Sequence, residues 1–304
     1  MEGIEEVRRK FFGTLYNTYS FFSLYANIDA FSFAEQEIAI SERPEIDRWI
    51  LSELNTLIQH VTSSYDDYEP TKAARAIQDF VSENLSNWYV RLCRRRFWKG
   101  EYQQDKISAY QTLYTCLLNV AQMASPIAPF FMDNLYLDLT KNVSKNKLSS
   151  VHLGEFPKAN QAYIDPSLER KMQKAQSISS MVLSLRKKEM IKVRQPLQKI
   201  MIPVLDKQDK LDIEAVSDLI KSEVNVKEIE LLHDASGILI KNMKPNFKVL
   251  GPKYGKDMRF AAQAIKEIGD EAIAQIEREG KLNIVVNGKP EVLLLEEVEI
   301  STQD

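Results

Sequence analysis

The chain has 304 residues, a formal net charge of −3, and 44% hydrophobic and 27% charged residues, the balance of a soluble globular protein with enough chain for two cores. No apolar run approaches the roughly 18 residues of a membrane span, MEGIEEVRRK lacks the apolar stretch of a signal peptide, and Cys93 and Cys116 each stand alone in their segments, which excludes a disulfide framework or a zinc knuckle. A reducing, cytoplasmic setting with no membrane and no bound metal is the simple reading.

The first half has the rhythm of helices. In residues 4–25, Ile4, Phe11, Leu15, Thr18, Phe22 and Tyr25 recur at three- and four-residue steps, one buried stripe. DRWILSELNTLIQHV (47–61) repeats the pattern through Ile50, Leu54, Leu57, Ile58 and Val61. Pro70 and Thr71 mark a start, and a third helix is predicted from Thr71 through NWYVRLCRRRFWKGE (87–101), with Ile77, Val81 and Trp88 on one face. Ile107, Tyr110, Leu113, Leu117 and Ala121 carry a fourth. SPIAPFF breaks it at Pro126 and Pro129, and a last helix runs toward Leu139. Short connections and one-sided stripes predict an antiparallel bundle over 1–150.

Residues 141–165 lose the rhythm, which puts a boundary near 150. A linker and a helix from Pro166 to Met190 fill 151–194. Beyond 195 the period changes: KIMIPVL and VKEIELL are β-rich with a helical LDIEAVSDLIK between them. GILIKN follows as a strand, then DMRFAAQAIKEI and DEAIAQIEREG as helices, with GPKYGKD (251–257) a basic turn before them. NIVVNGKPEVLLLEEVEI reads as two strands joined by Asn287-Gly288, the dipeptide of a type I′ hairpin. Residues 195–304 are therefore a small α/β module, and the fold class is α followed by α/β.

Catalytic groups are scarce. His60, His152 and His233 have no cysteine or second histidine at ligand spacing, and GPKYGKD lacks the ending and the strand-to-helix setting of a phosphate loop. The chemistry lies in the arginines. At 100° per residue, Trp88, Arg91, Arg95 and Trp98 fall within about 80° of one another, with Arg94 at their edge and Arg96 elsewhere, beside Tyr89. Trp88 also continues the core stripe of Ile77 and Val81, so a core-facing stripe turns cationic one turn later. Such arginines need a partner. Internal carboxylates, Asp47 or Glu83, fit; so does an external polyanion, with guanidinium groups on phosphates and indoles against unpaired bases. A second basic stretch, RKKEMIKVR, supplies Arg186, Lys187, Lys188, Lys192 and Arg194.

DRWILSELN (47–55), YEPTKAARAIQDFVSENLSNWYVRLCRRRFW (68–98), SPIAPFF (125–131) and SVHLGEFP (150–157) resemble, in this order, the anticodon-binding domain of class I aminoacyl-tRNA synthetases of the isoleucine, valine and leucine group. SNWYVRLCRRRFW, KVRQPL (192–197) and NFKVLGPKYGKDM (246–258) are most similar to the isoleucine enzymes, and the resemblance runs over nearly the whole chain. It implies a tRNA(Ile) partner met through its anticodon stem-loop, with Asn17 and Trp88 at positions that take part in reading anticodon bases. It also implies ATP and magnesium for isoleucine activation in a catalytic domain of the same parent protein. The HIGH and KMSKS signatures of that domain do not occur here. The chain is thus expected to be a non-catalytic portion without cofactors of its own. A helical scaffold that docks on protein through its basic face is the competing expectation. Gly13, inside the first helix and on the face of Asn17, is expected to mark a close approach.

Overall fold

Among the described residues six long helices dominate the first of two compact units, residues 1–185, and residues 186–304 build the second. The structure, a computed structural model, describes residues 2–99, 101–141, 148–204, 206–232 and 241–302. Helix α1 (residues 2–28) is α-helical at Glu2–Val7, π-helical at Arg8–Phe12 and α-helical again at Gly13–Ile28. Helix α2 is Glu45–Asp66. Helix α3 (residues 70–98) starts with Pro70 at its first position, runs α-helical to Asp79, passes through an eleven-residue π-helical stretch, Phe80–Val90, and ends α-helical at Arg91–Trp98. Helices α4 (Gln104–Ala124) and α5 (Pro129–Thr140) follow, parted by SPIAPFF as the prolines require. Helix α6 is Pro166–Lys188.

Consecutive helices α2 to α5 are joined by short turns and run antiparallel. Helix α1 lies antiparallel to α4: Phe22 meets Tyr114, and Asp29 at its end pairs with Lys106 at the start of α4. The same helix runs parallel to α3, since Ser82 Oγ donates to Lys10 O at 3.3 Å and Phe21 meets Phe97 edge-on at 5.1 Å. The expected stripes are the core: Leu15, Ile50, Leu54, Ile77, Val81, Leu113 and Leu117 are all at most 1% exposed. A Cβ on Gly13 would meet only the carbonyl oxygen of Arg8, at 3.4 Å in its own helix. Among the described residues nothing else approaches it, and Gly13 closes the π turn by donating its N–H to that carbonyl.

The units meet at 185/186 rather than near 150. Residues 150–165 have no periodic stripe, but they are tied to the bundle one hydrogen bond at a time. Asp133 Oδ1 accepts from Ser150 Oγ and Val151 N, both at 2.8 Å. Asn160 N donates to Asn55 Oδ1 (2.8 Å) and Asp165 N to Ser52 Oγ (2.7 Å). Helix α6 then lies along α2, where Glu169 Oε1 accepts from Ser52 Oγ (2.5 Å) and Thr56 Oγ1 (2.8 Å).

In the second unit β1 (Leu197–Pro203) pairs in parallel with β2 (Val226–Leu232), across the crossover helices α7 (Lys207–Ala215) and α8 (Ser217–Val224). Strand β3 (Lys241–Pro245) follows; most of GILIKN lies outside the described residues. The first part of the expected basic turn is helix α9 (Phe247–Tyr254), which tolerates Pro252, and only Gly255–Asp257 is a tight turn. Helices α10 (Met258–Lys266) and α11 (Asp270–Glu279) precede β4 (Lys281–Val286), β5 (Lys289–Leu294) and β6 (Val298–Thr302). Strands β4 and β5 form the expected hairpin, with Asn287 and Gly288 at φ of 50° and 79°, the pair of positive values a type I′ turn demands. Strand β3 pairs antiparallel with β6. Leu250, Ile265, Ile276, Ile284 and Leu293 share one core there.

Candidate nucleic-acid interface

The four arginines of α3 divide into two classes. Arg96 turns inward. Its Nη1 and Nη2 meet Asp47 Oδ1 and Oδ2 at 2.6 and 2.8 Å, a two-pronged pair, while its Nε donates to Asp105 Oδ2 at 3.1 Å. Asp47, on α2, is 0% exposed and also accepts from Tyr89 OH (2.8 Å) and Ser108 Oγ (2.6 Å). One carboxylate thus ties α2, α3 and α4 together with every lone pair occupied, which is what makes a buried charge tolerable. Burial of Tyr89 beside Asp47 pushes its phenol well above the usual range, and burial pushes the Cys93 thiol up to about 12, so both stay neutral.

Arg91, Arg94 and Arg95 face out. Arg94 and Arg95 are exposed and make no hydrogen bond or ion pair among the described residues. Arg91 Nε donates to Asn87 O at 2.6 Å, and its guanidinium carbon lies 5.8 Å from the centre of the Trp88 ring, a cation–π contact that holds the side chain over the indole. Trp88 itself is 7% exposed and Trp98 51%. Both halves of the expected pattern therefore occur on one helix: an internal ion pair made by Arg96, and an exposed cationic ridge made by the other three with Trp98.

Asn17 is exposed on α1, one turn before Phe21, whose ring packs on Phe97 of α3. Between that contact and the Ser82–Lys10 contact, Asn17 comes level with the start of the ridge. It does not line the groove on the other flank of α3, a cleft of about 920 Å³ walled by α2, α3 and α6, which Trp88 and Arg91 do line. The second basic stretch is not one surface. Arg186 is 3% exposed and donates to the carbonyls of Lys192, Gln195 and Asn225 at 3.2, 3.0 and 2.9 Å. It locks the start of the second unit, while Lys187, Lys188, Lys192 and Arg194 are exposed.

Sequence reading missed the groove. Its polar centre is a relay: Trp49 Nε1 donates to Glu53 Oε1 (3.1 Å), Asn84 Nδ2 to Glu53 Oε2 (3.2 Å), and Gln176 Nε2 to Asn84 Oδ1 (3.3 Å). Polar residues of α2 beside its apolar stripe, Glu53 and Thr56, were the available signal. Burial, then repulsion from the Glu169 carboxylate, raises Glu53 from 4.5 to about 7, against the opposing bond from Trp49. A carboxyl with a raised folded-state pKa stabilises fully below its unfolded value, and that stability is lost as pH rises through the folded value. Relative to wild type, Glu53→Gln should therefore gain stability on going from pH 4.5 to pH 8, by at most about 3 kcal/mol. Urea midpoints at the two pH values measure this, and an equal difference at both would show Glu53 to be an ordinary solvated carboxylate.

No metal cluster and no helix long and apolar enough to cross a membrane occur among the described residues. The family model described as the anticodon-binding domain of tRNA ligase matches residues 47–201, a span that holds α2 to α6 with the ridge and the groove. Over all 304 residues the chain is 58% identical to isoleucine–tRNA ligase of Bacteroides thetaiotaomicron, 26% of which it covers. It is 56% identical to that of Cytophaga hutchinsonii, covering 27%, and 40% identical over 296 residues to that of Clostridium tetani, covering 28%. The chain thus spans about a quarter of the length of these relatives. With more than half of its residues under the family model, and relatives of one name along its whole length, the chain belongs to the anticodon-binding domain family of tRNA ligases.

Proposed function

We propose that this chain is the tRNA-binding portion of an isoleucine–tRNA ligase and that the α3 ridge holds the anticodon stem-loop of tRNA(Ile). One observation carries the reading. In a chain of net charge −3, Arg94 and Arg95 stand exposed and without partners among the described residues, beside Arg91 and a half-exposed Trp98, while the fourth arginine is used internally. Guanidinium groups match phosphate oxygens in paired geometry. An exposed indole offers an unpaired base a stacking face worth about 1–3 kcal/mol. Helix α3 ends at this point, and the negative end of its dipole favours the cations there. The ridge holds the RNA so that the remainder of the parent protein, with ATP and magnesium, aminoacylates the far end; Asn17 flanks it, and the exposed cations of the second stretch (Lys187, Lys188, Lys192 and Arg194) add to the field that draws RNA in.

Titration of an anticodon stem-loop at increasing salt tests this. Three phosphate contacts predict that log K falls with log salt at a slope of about −2 to −3. Binding with no salt dependence, or a preference for a protein surface over RNA, would favour the docking-scaffold reading instead.

A further inference from the structure

We propose that the groove between α2, α3 and α6 receives one unpaired nucleobase, and that side chains of α6 read the N–H-bearing edge of that base. The inference rests on the RNA reading above and concerns the opposite flank of α3 from Asn17, since no residue of α1 lines the groove.

The charges separate the two surfaces. Asp79 and Glu83 line the groove together with Glu53, which is half-protonated near neutral pH, against a single arginine, Arg91. Such a field repels phosphate, so RNA cannot enter by its backbone. A base is the neutral part of a nucleotide, and it can enter while its phosphate stays on the ridge. Arg91 connects the two, since it belongs to the ridge and also lines the groove above Trp88.

The walls carry the hydrogen-bonding groups that base edges match. Facing helices present side-chain amides, Asn84 from α3 and Gln176 from α6 among them, and amides both donate and accept in the plane of a base. The relay gives this pair a direction. Because Asn84 donates to Glu53, its oxygen faces Gln176 and accepts from it. The Gln176 carbonyl oxygen is left as an acceptor with no partner among the described residues. Acceptors at Gln176 Oε1 and on the carboxylates suit a base that presents amino or ring N–H groups.

A second observation points to a ligand independently. Ser179 lines the same wall, is 1% exposed, and its hydroxyl has no hydrogen-bond partner among the described residues. Buried hydroxyls are nearly always satisfied, and a ligand in the groove would satisfy this one. The cleft, at about 920 Å³, is of the size that small-molecule sites occupy.

The test uses the chain and an anticodon stem-loop RNA, intact and with each loop nucleotide in turn made abasic. Ser180→Trp fills the groove from an exposed position on α6, and Gln176→Ala removes a reading group with less disturbance. Melting curves identify which variants remain folded. The expected result is roughly a tenfold loss of affinity, about 1.4 kcal/mol, at an unchanged salt slope. One abasic position should cost wild type the same factor and cost the variants nothing further. Folded variants that bind like wild type, or losses that add at every loop position, overturn the groove assignment while salt-dependent wild-type binding keeps the RNA reading. No binding by wild type at low salt overturns both.

Discussion

Asp47→Ala should destabilise the helical unit by about 3–5 kcal/mol, the range for breaking a buried ion pair by removing one partner. The substitution leaves the Arg96 guanidinium, 15% exposed, facing the vacated space, with Asp105 and the Cys93 sulfur still in reach. It also strips Ser108 Oγ of its acceptor and leaves Tyr89 OH with the Ala109 carbonyl oxygen at 3.5 Å. Each loss adds a desolvation cost that water cannot relieve at a position 0% exposed. Urea unfolding should show a lower midpoint at an unchanged slope, the sign of a stability change without a change in the surface exposed on unfolding. Asp47→Asn, which keeps one acceptor, should fall between. A wild-type midpoint for the Ala variant would mean that Arg96 is solvated and that α2, α3 and α4 are held by apolar packing alone.

The helices of the bundle and the hairpin of the second unit were legible because each rests on a local rule. A one-sided stripe at three- and four-residue steps specifies a helix, and Asn287-Gly288 specifies a turn of positive φ. The boundary was not legible from periodicity. Residues 150–165 bury little apolar surface and are fastened by Ser52, Asn55 and Asp133, contacts that leave no repeating signature in the sequence. Nor does the sequence announce the π-helical stretch Phe80–Val90, since a wider turn shifts the helical phase without changing residue preferences. The glycines and proline of GPKYGKD predict a turn, yet its first four residues continue helix α9, in which Leu250 is 0% exposed.

For the interface, the helical projection separated Arg96 from the other arginines and set it beside Tyr89. The structure adds the reason, a shared partner in Asp47. The exposure of Arg94 and Arg95 did not follow from it, since the projection carries Arg95 on the core-facing stripe of Trp88 and leaves internal and external partners both open. What a single helix cannot reveal is a surface made by three: Glu53, Asn84 and Gln176 lie on α2, α3 and α6, and only their packing turns three ordinary polar residues into a relay. Arg186 shows the opposite limit. A cation in a basic run reads as solvated, but this one is consumed by three carbonyls that the chain brings to it.

The central claim is that the α3 ridge binds RNA through phosphates, and Arg94→Glu/Arg95→Glu tests it most directly. Both side chains are exposed and without partners among the described residues, so the double variant should melt close to wild type, within about 0.5 kcal/mol per site. Two acidic residues in the last turn of α3 oppose the helix dipole by about 0.3–1 kcal/mol each at low salt, a cost that added salt screens. Binding should change far more. Loss of two phosphate contacts flattens the plot of log K against log salt by about 1.5 to 2 units, and the reversed charges repel the backbone besides. Affinity for the anticodon stem-loop should therefore fall steeply at low salt and converge toward wild type as salt rises. The measurement is one salt titration of wild type and variant beside their melting curves. A reduced slope at an unchanged melting temperature is the predicted result; a wild-type slope and affinity, or an early melt with normal binding, would contradict the claim and make these arginines structural.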